Sequence, residues 1–455
     1  MGRRMSLSLN HEPVVVVGTT PDYVARIYRN YPQAALFILD PRFKDDSCLR
    51  DLDPSILLFA PLDHFEDVLG SLKRHLSMNM LSPQGIACFD CDSLIIAGHL
   101  AQHLGMPFPS PEAIIHARNK LESRRIWTES GVACPRALLA SDLRESQELF
   151  CSVRKNVVLK PVSGSGSELL FHCRDETDIE RSVQILEEQL PRRRSNPLFK
   201  PIPGTARAVP LDPCRSWIVE EYVPGPEFSC DFLLQDGDIT ILRETGKVKA
   251  PDQTFGSILA YTFPSSYPGQ FTVRDLSPLL LKASRALGFT WGHFMVDFII
   301  QNGQPVLLEM TPRPGGDSIP DLVEVATGYD LIGNYLNMVS GRPSNSTTLP
   351  PMPSESFASV HLYAPREGII SHLDVSQILS LPWVKGVVLK KNMGDVVKLP
   401  PHDYDNRLLG YCIVSVDPSW DVVSVHRTIQ QRLQVSVENP WPSPWERAAC
   451  LTSQD

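Results

Sequence analysis

The chain has 455 residues, 42% hydrophobic and 21% charged, with 52 acidic against 43 basic side chains and a net charge of −9. That length calls for roughly two to four domains, the acidic balance argues against nucleic acid as the main partner, and no run approaches the roughly 18 apolar residues that cross a bilayer. The 10 cysteines are scattered and read as reduced thiols, and MGRRMSLSLNHEP has basic residues with no apolar stretch behind them, so a cytoplasmic protein without a secretory signal is expected.

Val14 to Val17 reads as a β-branched strand ending at Gly18, followed by a helical PDYVARIYRNYP and a second strand, AALFILD, ending at Asp40. ILLFA, a helical VLGSLKRHL and GIACF continue the alternation, which predicts a parallel, Rossmann-like α/β domain over 1–110. GTTPDY lacks the GxGxxG of a dinucleotide site. Cys88 and Cys91 have redox or zinc spacing without a second pair, and read as strand-end thiols. His99 and His103 stand one turn apart in AGHLAQHLG and read as packing or surface histidines.

Helical patterns run through 111–130 until Gly131 and Pro135 break them. NVVLKPVSGSGSELLFHC reads as strand, Gly/Ser loop and strand, and DETDIERSVQILEEQL as an amphipathic helix. The stretch from Pro191 to Pro213, with Arg192 to Arg194, has no periodicity and is expected to be a loop. WIVEEYV is a strand, FSCDFLLQDGDITIL a hairpin through Asp236-Gly237, and LSPLLLKASRALG a helix. GHFMVDFIIQNGQPVLLE is a second hairpin through Asn302-Gly303, the strongest short-range hairpin signal in the chain. A Pro/Ser/Thr-rich linker over 342–356 then leads to a small α+β end domain.

Three segments carry residues suited to chemistry. A strand delivers Lys160 to a loop containing Ser163, Gly164, Ser165 and Gly166, whose small residues let backbone N–H groups approach phosphate oxygens. The lysine precedes the glycines, so this is no Walker A motif, and an exposed hairpin loop is the plain alternative. Glu220, Glu221, Tyr222 and Val223 form a strand end that offers backbone groups to an adenine edge, with Glu227 placed to accept from ribose hydroxyls; a strand with solvated glutamates is the alternative. Asp297 and Glu309 lie on the two strands of the second hairpin, and buried carboxylates need partners. Hard anionic oxygens suit a divalent cation shared with phosphates, and Arg313 follows on the next loop to meet a phosphoryl or acyl phosphate. The alternative there is an ion pair between Arg313 and one of the acids.

In this order the segments resemble an ATP-grasp enzyme over about residues 14–345. KLESRRIWTESGVACP is similar to the family's stretch with an ATP-contacting lysine, here Lys120. VVLKPVSGSGS, EEYVPGPEFS and VDFIIQNGQPVLLEMTPRPGG are similar to its second lysine and phosphate loop, its adenine hinge, and its paired metal acids with the following arginine. NRLLGYCIVSVDPSWDVVSVHRTI and PRPGGDSIPDLVEVATGYDL resemble the L-amino-acid-ligase, biotin-carboxylase and carbamoyl-phosphate-synthetase branches, but the Arg-x-x-x-Glu-His run of biotin carboxylases is missing.

The resemblance implies an ATP-grasp domain over 111–345 with a lid subdomain at about 155–222, and a C-terminal α+β domain over 346–455. It implies ATP with Mg²⁺ (or Mn²⁺) as cofactors, and small carboxylate and amine substrates joined through an acyl phosphate. Neither nucleic acid nor membrane is an expected partner, and a homodimer is an open expectation. In such an enzyme Lys120 and Lys160 hold phosphates, Asp297 and Glu309 the metal, and Arg313 the developing charge. The family's metal-side Asn is replaced by Thr311, which leaves the number of metal ions open. His293, Arg243, Glu244 and Lys247 are expected to face the acceptor pocket, with Gly315 and Gly316, and Asp317 to meet a substrate ammonium group. A biotin-carboxylase-like or purine-biosynthesis-like enzyme, and a degenerate nucleotide-binding regulator, are the alternatives.

Overall fold

A computed structural model describes residues 12–153, 156–205, 209–249, 254–268, 271–342 and 353–438. Residues 1–11 and most of the 342–356 linker lie outside these residues. The chain divides into two compact units, one formed by 1–165, 169–247 and 263–353, the other by 166–168, 248–262 and 354–455.

The first unit contains three sheets. Val14–Val17 (β1), Ala35–Leu39 (β2), Leu57–Phe59 (β3) and Gly85–Ala87 (β4) form a parallel sheet in the order β3-β2-β1-β4, as the alternating pattern predicts. Its β-branched strands are buried on both faces beneath Pro21–Asn30 (α1), Phe65–Asn79 (α2) and Leu94–Leu104 (α3). Pro111–Arg118 (α4) and Lys120–Glu129 (α5) follow, separated by the extended Asn119, whose side chain caps α5 by accepting from the Glu122 N–H.

The second sheet is antiparallel, in the order β5-β8-β6-β7, from Ala137–Ala140 (β5), Val157–Pro161 (β6), Phe171–Cys173 (β7) and Trp217–Glu221 (β8), with helices Leu143–Ser152 (α6) and Glu176–Gln189 (α7). β8 stops at Glu221, so Tyr222 and Val223 lie beyond the strand that WIVEEYV suggested. The stretch expected to be a plain loop carries two short 3-10 turns, Pro191–Arg193 and Pro197–Phe199, and an Ile202–Leu211 bridge; burial of Leu198, Phe199 and Ile202 orders it.

The third sheet positions the site. It includes Glu227–Gln235 (β9), Asp238–Val248 (β10), Gly292–Gln301 (β12) and Gln304–Thr311 (β13) in the order β13-β12-β9-β10; β11 (Ala260–Phe263) is described with the second unit. Both hairpin turns place two residues at positive φ, Asp236 at 52° with Gly237 at 83°, and Asn302 at 52° with Gly303 at 75°. RETGK, expected to lie after the strand, continues β10. Phe228, Phe232, Phe294, Val296 and Phe298 turn to one face and pack with Leu276–Leu287 (α8) and Trp127 of α5. The other face bears Ser229, Asp231, Arg243, Thr245, His293, Asp297 and Glu309. Ile319–Thr327 (α9) and Leu331–Val339 (α10) complete the unit, α10 packing on the parallel sheet.

In the second unit β11, Ser356–Tyr363 (β14), Val384–Leu389 (β16) and Leu408–Val416 (β18) align in the order β11-β14-β18-β16. Gly368–Asp374 (β15), Val396–Val397 (β17) and Gln434–Glu438 (β19) form a three-stranded sheet, and the helices are Ser376–Leu379 (α11) and Val422–Arg432 (α12). This is the α+β composition expected there. Among the described residues no helix is long and apolar enough to cross a membrane.

Candidate active site

On the β12–β13 hairpin Asp297 stands directly opposite Glu309, so both carboxylates leave the same face. A regular two-residue hairpin would not do this. Gln301 pairs with Gln304, and that register carried back unbroken puts Leu308 opposite Asp297. A bulge between Asp297 and Phe298 inserts one residue and brings Glu309 onto the site face.

Lys247 reaches between Glu227 Oε1 at 2.9 Å and Asp297 Oδ2 at 2.6 Å, and Lys120 lies 3.6 Å from Glu309 Oε2. Burial, with Glu309 and Glu227 adding to it, pushes the Asp297 carboxyl up against the pull of Lys247. Burial acts the same way on Glu309, but Lys120, Lys247, Lys160 and Arg124 outweigh it and hold that carboxyl below the usual range. Asp297 Oδ1 is buried and has no hydrogen-bond partner among the described residues. A small divalent cation fits this arrangement: it gives that oxygen a partner and relieves the repulsion between the acids. No group of three or more His, Cys, Asp or Glu suited to a metal occurs among the described residues, so such an ion would complete its shell with phosphate and water. Thr311, two residues on from Glu309, shares its face.

Lys160 leaves the end of β6 and pairs through Nζ with Glu220 Oε1, while Arg124 Nε donates to Glu220 Oε2 at 2.9 Å. Glu220 is thus held at both oxygens in the interior, and Arg124 with Lys160 overcome the effect of burial to keep it ionised. Burial lowers the Lys160 ammonium below its ordinary value although Glu220 opposes this. Lys120 opens α5, its backbone N–H donating to Val162 O and its Nζ to Gly164 O, both at 3.0 Å. It therefore clips the helix to the loop carrying Ser163, Gly164 and Ser165; Gly164 has φ 150° and Gly166 φ 64°. At the hinge, Glu221 N–H donates to Arg136 O and Tyr222 N–H to Asn156 O, and the Tyr222 ring stacks on His172 at 4.0 Å. Val223 is buried, and Gly225 allows the Pro-Gly-Pro turn toward Glu227 because a Cβ there would stand 2.4 Å from Ile300 O.

Beyond the acids, the 313–317 loop folds back over the sheet. Gly315 N–H donates to both oxygens of Asp231, at 3.0 and 3.2 Å. Arg243 Nε donates to the same carboxylate at 3.1 Å, and its Nη1 to Ser229 O and Thr245 Oγ1. Arg243 and His293 were expected to face the acceptor pocket; they are on the correct face, but only 1% and 2% exposed. Arg243 underlies the loop, with a Cβ on Gly315 falling 2.5 Å from its Nη2, and His293 lies beside Asp231 and the Tyr335 ring. Glu244 emerges on the hidden face opposite Cys230, where burial pushes its carboxyl up to about 7. Gly316 is beside Arg313, and Asp317 adopts φ 57°. Arg313 makes no ion pair with a carboxylate among the described residues; its Nε and Nη2 both point at Cys91 Sγ, each 3.2 Å away.

Sequence reasoning passed over Arg124 and Asp231, and read Cys91 only as a strand-end thiol. Arg124 was discoverable, one helical turn after Lys120 and on the same side of α5. Asp231 offered no signal, since a bulge brings Arg243 opposite it and its other partner, Gly315, lies 84 residues away. Cys88 is a buried thiol, His99 and His103 pack on Phe65, and Arg192 and Arg194 pair with Glu188 and Asp212.

A family model described as ATP-grasp domain matches residues 153–321. The chain is 28% identical over 345 residues to the uncharacterised protein y4rH of Sinorhizobium fredii, covering 75% of this chain and 65% of that one. It is 31% identical over 158 residues to carnosine synthase 1 of Gallus gallus, covering 34% of this chain and 16% of that one. It therefore spans less than two thirds of the length of either relative. The L-amino acid ligase from Bacillus licheniformis shares its fold with a TM-score of 0.70 at 16% identity, over 94% of this chain and 99% of that one. Residues 153–321 thus carry an ATP-grasp domain, and the chain has the fold of that L-amino acid ligase.

Proposed function

We propose that the protein is an ATP- and Mg²⁺-dependent carboxylate–amine ligase that joins small amino-acid-like substrates through an acyl phosphate, releasing ADP and phosphate. The observation that carries this is the facing pair Asp297 and Glu309, with its orphaned buried oxygen, set beside Lys120 and Lys247 and one loop ahead of Arg313. The names of two similar proteins, a carnosine synthase and an L-amino acid ligase, support the amine-ligase branch. The same reading entails a cytoplasmic setting, small-molecule partners, and an ATP-grasp domain over 111–345 with its lid at about 155–222.

Held by Asp297 and Glu309, Mg²⁺ would neutralise charge on the nucleotide phosphates. Lys120, already tied to the Gly164 carbonyl, and Lys160, held on Glu220, orient the phosphate chain as point cations. Glu227 accepts from the ribose, and the hinge at Glu220 to Val223 lies along the adenine. Arg313 faces the phosphoryl group as it passes to the substrate carboxylate, so charge placement and orientation do the catalytic work. The amine then displaces phosphate from the acyl phosphate. Thr311 adds a hydroxyl at the metal end.

Phosphate release with ATP, Mg²⁺ and pooled amino acids, against a control lacking amino acids, tests this. Stimulation by a carboxylate and amine pair is expected. No stimulation refutes the ligase, and stimulation by bicarbonate alone moves the protein to the carboxylase branch. Glu309→Gln and Arg313→Ala should lower turnover by about 10²- to 10³-fold while the thermal midpoint survives; near-normal turnover in either moves the site elsewhere.

A further inference from the structure

Arg313 is the cation that the proposed chemistry needs at the reacting phosphoryl group, and its partner is a sulfur. Nε and Nη2 converge on Cys91 Sγ at 3.2 Å each, and Nη1 donates to Pro314 O at 2.7 Å. Cys91 belongs to the turn after β4, at the C-terminal end of the parallel sheet, where the backbone is tightly fixed. Asp90 accepts there from the Thr19 N–H at 2.6 Å and the Ser93 N–H at 2.8 Å. Gly18 is needed at the same spot: a Cβ would fall 2.0 Å from Ser93 Oγ. The loop bearing Arg313 is anchored from the opposite side by Gly315 on Asp231. Sulfur and guanidinium are thus each set on a rigid support and meet half-buried.

The chemistry of the partner matters. A carboxylate here would form a strong forked pair and cancel the charge. A thiol is a weak, soft acceptor, which directs a guanidinium while leaving its charge to act on the substrate. We propose that Cys91 is a positioning residue for Arg313, aiming the guanidinium fork toward the reacting phosphoryl group without neutralising it. The inference rests on the ligase reading of Arg313, and the test separates the two.

Four variants decide it: Cys91→Ala, Cys91→Ser, Cys91→Asp and the double variant Cys91→Ala/Arg313→Ala, with Arg313→Ala as control. A misaimed catalytic group costs about 10- to 100-fold in rate, so kcat in Cys91→Ala falls by that factor while KM for ATP stays within about twofold. Cys91→Ser, which keeps a weak acceptor, restores most of the rate, and Cys91→Asp loses more than Cys91→Ala because it neutralises the cation. The double variant is no slower than Arg313→Ala alone, as expected when one residue acts through the other. Phenylglyoxal modification of Arg313, mapped by peptide mass spectrometry, gives a readout that needs no substrate: it is several-fold faster in Cys91→Ala and close to wild type in Cys91→Ser. An unchanged kcat in Cys91→Ala, additive losses in the double variant, or equal phenylglyoxal rates overturn the positioning role. Near-normal turnover in Arg313→Ala overturns both this role and the ligase site.

Discussion

Replacing Asp231 by Asn removes the negative charge that faces Arg243 in a place where neither side chain has any exposed surface. Arg243 then keeps its bonds to Ser229 O and Thr245 Oγ1 but holds a buried positive charge without a counter-ion, and its Nη2 already has no partner among the described residues. Removing one member of such a pair costs roughly 3–5 kcal/mol, a large share of a typical stability of about 5–15 kcal/mol. At about 1.4 kcal/mol per tenfold, the unfolding equilibrium shifts by roughly two to four orders of magnitude. Chemical denaturation followed by tryptophan fluorescence measures this, with Asp231→Leu/Arg243→Met as the informative companion. That double variant removes both charges together and should return to within about 1–2 kcal/mol of wild type, since an apolar pair of similar volume can replace a buried ion pair. Turnover should not return with it. Gly315 N–H loses both of its acceptors, and the loop that carries Arg313 is no longer tied to the sheet. A single variant within about 1 kcal/mol of wild type would refute the energetic argument. Recovery of turnover together with stability would refute the link between Asp231 and the loop.

Glu244→Gln tests the hidden face of the sheet by pH. The carboxyl rises from the usual 4.5 to about 7 on folding, so stability is greatest below pH 4.5 and is lost as pH rises through about 7, a penalty of about 3 kcal/mol above that. The variant should melt higher than wild type at pH 8 and lose that advantage near pH 4.5; a constant difference between the two pH values contradicts the burial of Glu244. Lys247→Met leaves Asp297 without the ammonium at 2.6 Å, so the thermal midpoint falls, and millimolar Mg²⁺ restores part of it while giving wild type little. A variant indifferent to Mg²⁺ counts against the acids as the metal end. Gly315→Ala puts a Cβ 2.5 Å from Arg243 Nη2 and 2.9 Å from Asp231 Oδ2, both immobile, so the loop must move at a cost of about 1–3 kcal/mol, and turnover drops. Unaltered turnover there shows that loop position does not limit the rate.

Local signals made the elements legible. The β-branched run at Val14 to Val17 read as a strand and is one, buried along its length, and Asn302-Gly303 fixed the turn of the second hairpin. Lys160 and Arg313 stood out because a strand or hairpin led directly into a loop of small residues. Contacts between distant segments were invisible. Glu220 looked like part of an adenine hinge, while its carboxylate is committed to Arg124 and Lys160, 96 and 60 residues away in sequence. Cys91 and Arg313 are 222 residues apart, so neither announces the other. Arg243 looked open to substrate because polarity in a sequence does not reveal that a loop 84 residues from its partner Asp231 closes over the pair.

Register explains why charge gathers on one face of the third sheet. Both hairpins use two-residue turns, and unbroken pairing from those turns would set Leu308 opposite Asp297 and Leu242 opposite Asp231. In that arrangement Glu309 and Arg243 would point into the aromatic core with Phe294 and Phe298, where an ionised group is costly. Each hairpin carries one bulge, between Asp297 and Phe298 in the first pairing and between Ile241 and Arg243 in the second. Each adds a single residue, and a single residue is enough to turn every later side chain to the other face. Glu309 thereby joins Asp297, and Arg243 joins Asp231, while Glu244 is sent inward and has its carboxyl pushed toward neutrality. The same step that sets the two acids face to face and builds the loop support thus creates the buried acid behind them. Bulges and site form one feature of the fold: without the first the acids do not face each other, and without the second the loop bearing Arg313 has no charged pair to close on.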